Sequence, residues 1–149
     1  MKNLQQTKKQ ADSLLFLGFL LFLLGLITGL VVPAFANPRL GVSSHIEGVL
    51  NGIFLIVLGL IWHKVDLSES WLKITFWLAV YGTFANWFGI LVAAIFNAGE
   101  MLGIASNGKA GPPVAEAVVN FSLISLTIAM LIICVSILIG LRNNIKRER

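Results

Sequence analysis

Four apolar stretches, at residues 11–35, 43–63, 71–97 and 113–141, constrain this chain more than any other feature of its sequence. Each supplies the roughly 20 residues of helix that a hydrocarbon core of about 30 Å requires. None alternates apolar with polar residues or is broken by turn signals, so strands are not expected. Of the 149 residues, 57% are hydrophobic and 12% charged. A water-soluble domain with that balance would expose more apolar surface than such domains tolerate. The expected fold is all-α: one integral-membrane four-helix bundle over residues 1–149, with the lipid bilayer as its solvent.

Charge sets the expected orientation. Both termini and the HKVDLSES connection fall on one side, which carries Lys2, Lys8, Lys9, Lys64, Lys73, Arg142, Lys146, Arg147 and Arg149; the other side has Arg39 and Lys109. That bias places both termini in the cytoplasm. The basic residues lie at the ends of apolar runs rather than among exposed aromatics, so the net charge of +4 does not indicate nucleic acid. The N-terminal lysines, the apolar run and Ala34-Phe35-Ala36 also resemble a secretory signal. Residues 14–32, however, outrun a signal core of about 7–15 residues, and the segment is expected to stay as the first span. Trp62, Trp71 and Trp77 gather near the cytoplasmic face as an aromatic belt, with Trp87 deeper, as a pocket wall or lipid-facing. The single cysteine, Cys134, excludes an intramolecular disulfide and is expected to be a small buried hydrophobe.

Polar side chains inside apolar helices are costly, so each is a candidate for interior packing or function. The stretch ANPRLGVSSHIEGVLNG, residues 36–52, concentrates them at the start of the second span, where Ser43 or Ser44 can act as N-cap. A rotation of about 100° per residue puts His45, Gly48 and Gly52 in one stripe, and Glu47 and Asn51 on a neighbouring face. The two glycines suit close helix packing. With a histidine above them, they also offer a flat surface against which a planar macrocycle ligated by His45 can lie. The other histidine, His63, is 18 residues along the same helix, roughly 27 Å away, so the two cannot share a metal within one chain. It is expected to be interfacial, beside Lys64. No His, Cys or carboxylate spacing suits structural zinc.

The third span adds Tyr81, Asn86 and Asn97, and the fourth begins with Glu116 and Asn120. Asn97 and Asn120 are expected to hydrogen-bond neighbouring helices. Glu47 and Glu116 lie near the same membrane face, either hydrated, paired with Arg39 or part of a site. AGEMLGIASNGKAGPP, the one long connection, is a lid over His45 or an inert connector.

The stretches ANPRLGVSSHIEGVLNG and FANW, within four spans whose first helix ends VVPAFANPR and whose last begins at GPP, resemble the hydroxylaminobenzene mutases and, more distantly, the membrane-bound styrene oxide isomerases. The resemblance covers nearly the whole chain. It implies an isomerase of the bacterial inner membrane that converts hydroxylaminobenzene to 2-aminophenol by intramolecular hydroxyl transfer. It further implies a homotrimer with haem b near subunit boundaries, iron held by His45, and a pocket containing Asn51 and Asn86. Glu47 and Tyr81 are then the candidates for moving the proton. The isomerases bring a carboxylate and a later tyrosine from the third helix, whereas no Asp or Glu lies between Lys73 and Asn97 here. The competing expectation is a non-enzymatic membrane component, such as a small b-type cytochrome subunit.

Overall fold

The structure, a computed structural model, describes residues 2–147, with side chains from residue 4 onward. Arg149 and the side chain of Lys2, both counted in the charge bias, lie outside the described residues. Four long helices carry the chain back and forth: α1 (Lys2–Val31), α2 (Pro38–Ile61), α3 (Glu69–Phe96) and α5 (Pro113–Arg147), with a single turn, α4 (Gly103–Ser106), in the connection before α5. All four are long and apolar enough to cross a membrane. Their antiparallel order puts both termini at one end, with Arg39, His45 and residues 98–112 at the other.

Local chemistry sets the helix limits. α2 starts one and a half turns before the expected position, because Asn37 is its N-cap, with its side-chain oxygen accepting from the Leu40 N–H at 3.3 Å and Pro38 filling the first helical position. Ser43 and Ser44 are therefore not caps: Ser43 donates to the Arg39 carbonyl, and Ser44 crosses to the Trp87 carbonyl on α3. Ser68 caps α3, and Asn97 ends it in the left-handed region, at φ 53°. α5 runs on to Arg147, six residues beyond the expected end at 141. Its basic final turn suits a helix C-terminus, and Arg147 there reaches Asp66 at 3.4 Å.

The four helices pack as an open row. α2 packs on α1 and on α3, α1 and α3 share a smaller contact, and α5 packs on α3; among the described residues the backbones of α1 and α5 do not come together. In their most apolar stretches, α1 and α5 are each 22% buried, against 39% for α2 and 44% for α3. The outer helices thus present long apolar faces outward.

α1 and α2 meet through glycine. A methyl group added at Gly48 would stand 2.6 Å from the Gly25 Cα, and one at Gly52 2.6 Å from the Phe22 nitrogen. The two backbones touch, which is the close approach that small residues permit. Around the seam, Leu14, Leu21, Leu55 and Leu58 form one core with Phe76, Ala79 and Ile133. Trp62 is sealed in it, donating from Nε1 to Gln10 at 3.2 Å and set edge-on to Phe76, so it is not a belt residue. Trp71 and Trp77 are exposed. Cys134 is also exposed, on the outer face of α5, rather than buried.

Candidate functional site

His45 leans toward α1. Its Nδ1 lies 2.8 Å from the Gly25 carbonyl, and Gly29 makes room for the ring: a methyl group there would stand 2.7 Å from Nδ1. A histidine whose Nδ1–H is held by a backbone carbonyl has its tautomer and ring direction fixed, with Nε2 left as the free base. The ring borders a groove of about 630 Å³ lined by Leu26, Leu30, Val32, Pro33 and Val42. Every lining residue comes from α1, the turn after it, or α2, so the 98–112 connection is not a lid over His45.

The flat surface expected beneath His45 is occupied. α1 lies against Gly48 and Gly52, so these glycines seat a helix and have no open face on which a planar group can rest. The small residue beside the imidazole is Gly29. Neither Gly25 nor Gly29 was picked out by sequence reasoning. The signal was present in their four-residue spacing, but only the register against α2 shows which glycine meets the histidine.

Glu47 turns the other way. Two residues on an α-helix differ by about 200°, so a side chain two places from His45 faces away from α1. Its Oε2 accepts from Asn86 Nδ2 at 2.6 Å and from Asn51 Nδ2 at 3.1 Å, while the same Asn51 nitrogen also donates to the Glu47 carbonyl at 2.8 Å. The i,i+4 pair on α2 and the asparagine on α3 thus form one cluster, with Asn51 buried and the other two half-buried. Trp87 stitches the adjoining helices, donating from Nε1 to Thr28 on α1 at 3.2 Å, and is not lipid-facing.

Tyr81 stays outside this cluster. Its hydroxyl pairs with Ser125 on α5 at 2.6 Å, and five residues of helix separate it from Asn86 by roughly 140° of rotation. Asn97 bonds a neighbouring helix as expected, accepting from Asn37 at 2.9 Å. Asn120 does not complete the expected bond: its Oδ1 is buried with no partner. His63 is exposed beside Lys64, at the far end of α2 from His45.

Glu116 organises the long connection. It is 6% exposed and accepts from the Gly111 N–H at 2.7 Å and the Glu100 N–H at 3.2 Å, clasping both ends of the loop. Ser106 closes the middle by donating to the Gly99 carbonyl, and Arg39 reaches Asn107 at 2.8 Å rather than either glutamate. Glu116→Ala strips two backbone donors of their acceptor, at about 1–3 kcal/mol each. Limited proteolysis within residues 98–112 is expected to speed up at least tenfold in that variant and less in Glu116→Gln, which keeps one acceptor. Equal rates in all three proteins would show that the clasp does not hold the loop.

A carboxylate gripping two carboxamides among apolar helices is equipped to orient a small uncharged molecule and to move a proton within it, the work of an isomerase. The styrene oxide isomerase family model matches residues 10–142, and the chain belongs to that family. It is 50% identical over 134 residues to hydroxylaminobenzene mutase HabB of Ectopseudomonas oleovorans, covering 89% of this chain and 82% of that protein. It is 47% identical over 125 residues to hydroxylaminobenzene mutase HabA of the same organism, covering 83% and 93% respectively. No solved structure matches the chain significantly. With such relatives on both counts, the chain is an enzyme of the isomerase class.

Proposed function

We propose that this isomerase is a membrane-embedded mutase that converts hydroxylaminobenzene to 2-aminophenol, with both termini in the cytoplasm of a bacterial inner membrane. The observation that carries the proposal is the assembly of Glu47, Asn51 and Asn86 into one cluster, in a chain half identical to a hydroxylaminobenzene mutase.

The reaction is an isomerisation and balances without an external oxidant. The N–O bond breaks with its electron pair leaving on oxygen, a C–O bond forms at the ortho carbon, that carbon gives up a proton, and the nitrogen gains one. In bulk water the ring cation is open to solvent attack at the para carbon. Apolar helix faces exclude that water and keep the departing oxygen near the ring, which favours the ortho product. Asn51 and Asn86 hold the hydroxylamino group, and the second oxygen of Glu47 takes up the ring proton.

The residues around His45 fit haem b. Among the described residues no three His, Cys, Asp or Glu side chains gather into a metal site, but haem asks only one axial ligand of the protein. His45, braced on Gly25 with Nε2 free beside an apolar groove, has the chemistry of that ligand. Haem iron bound there would supply a Lewis acid for the hydroxylamino oxygen. His45 and Glu47 open on opposite faces of α2, so a site that uses both draws on two copies of the chain. This supports a homo-oligomer, for which we propose the homotrimer.

Detergent-purified protein given hydroxylaminobenzene in ¹⁸O-labelled water is expected to release 2-aminophenol without the label, and to show a Soret band. Label in the product overturns the intramolecular transfer. Absence of turnover overturns the activity, and a bis-histidine haem spectrum without turnover would identify a cytochrome instead.

A further inference from the structure

The cluster has more acceptors than donors, and Glu47 is the cause. A carboxamide has a donating and an accepting end of nearly equal shape, and its neighbours decide which way it faces. A carboxylate only accepts. Facing Glu47, both asparagines must turn their nitrogens inward, as they do at 3.1 Å and 2.6 Å. Turning Asn86 over would press an amide oxygen against a carboxylate oxygen at the same short distance. Asn51 is held twice, because its nitrogen also bonds the Glu47 carbonyl.

What the three side chains have left is therefore fixed. The oxygens of Asn51 and Asn86 and the second oxygen of Glu47 meet no donor among the described residues. The only sealed, unpartnered side-chain atom there is Asn120 Oδ1, so these three oxygens are open to an incoming molecule. One N–H of Asn86 is the sole donor remaining on the three. Nearby donors are already spent, Ser44 on the Trp87 carbonyl and the Trp87 indole on Thr28.

We infer that Glu47, beyond taking up the ring proton through its second oxygen, locks Asn51 and Asn86 with their carbonyl oxygens toward the substrate, so that the site selects molecules donating two hydrogen bonds, the N–H and O–H of an arylhydroxylamine, over acceptor-only ones such as epoxides. The inference rests on the proposed function and names what distinguishes its substrate. A site built to accept two hydrogen bonds rejects analogues that lack the donors, because its own oxygens are then left buried and unpaired.

The test uses four ligands with one ring system: 2,6-dimethylphenylhydroxylamine, whose blocked ortho carbons prevent turnover, and its N-methyl, O-methyl and N,O-dimethyl forms. Binding to the full-length purified protein is read from ligand-dependent Tm. The apparent Kd is expected to rise about tenfold for each donor removed, about a hundredfold for the N,O-dimethyl form. In Glu47→Gln, whose own amide can face the asparagines either way, the spread is expected to fall below about threefold. Equal affinities in the unaltered protein overturn the inference. So does an undiminished spread in Glu47→Gln, since methyl bulk alone would then explain the ranking. Should Glu47→Gln not accumulate, Asn86→Ala removes one acceptor and must cut the hundredfold penalty to about tenfold; an unchanged penalty overturns the inference. If the ranking holds while hydroxylaminobenzene itself is not isomerised, the proposed activity fails and the amide orientation stands.

Discussion

Replacing His45 with alanine is expected to remove the Soret band and lower kcat/KM for hydroxylaminobenzene by about a thousandfold or more, the scale of a lost Lewis acid worth several kcal/mol at the transition state. The residues around the ring allow a sharper version. A Gly29→Ala methyl would stand 2.7 Å from the imidazole Nδ1, closer than carbon and nitrogen tolerate, so the ring must leave the Gly25 carbonyl. That variant keeps the histidine and loses its placement. Its Soret intensity and activity are expected to fall together by about a hundredfold, in line with losing the group that orients a metal-bound histidine. The added methyl meets only the half-buried imidazole and no backbone atom of α2, so the helices are expected to stay in place and far-UV circular dichroism to be unchanged. A Gly29→Ala protein with full colour and activity would mean that the Gly25–His45 contact is unimportant to function. A His45→Ala protein with both intact would remove iron from the proposal.

The Glu47 cluster shows where the sequence stops being informative. Four-residue spacing alone pairs Glu47 with Asn51, and the structure keeps that pair. Adding Asn86 requires the register of α3 against α2, which hydropathy does not encode. For the same reason Tyr81, on the same helix as Asn86, joins Ser125 instead. The start of α2 was legible in principle. Asn37-Pro38 carries both an N-cap and a first-position proline, but the serine pair further on is an equally good capping signal, and only the observed bonds decide. Least legible was the open row. In water, an apolar stripe shows which helix face is covered, but a helix meant for lipid is apolar on every side, so its sequence does not say whether a neighbour or the solvent covers it. Trp62 and Cys134 exchanged their expected environments on that account.

Gly48→Ala is expected to cost about 3 kcal/mol and to lower Tm by about 10 °C, whereas Gly103→Ala should be neutral or slightly stabilising. Both substitutions relieve the helix of a glycine, a gain of about 1 kcal/mol at most. They differ in what the new methyl meets. At Gly103 nothing lies within 4 Å; at Gly48 the Gly25 Cα lies at 2.6 Å, with the Trp87 ring at 2.9 Å. A side chain can sometimes rotate aside, but a backbone atom cannot, so α1 and α2 must separate along their shared seam. That seam also sets the height of Gly25 against His45, so the damage is expected to reach the Soret band in Gly48→Ala although the substituted residue does not touch the imidazole. Should Gly48→Ala instead be as stable as Gly103→Ala, the two backbones are not in contact. The glycine face of α2 is then open, and a flat cofactor can lie over Gly48 and Gly52 after all.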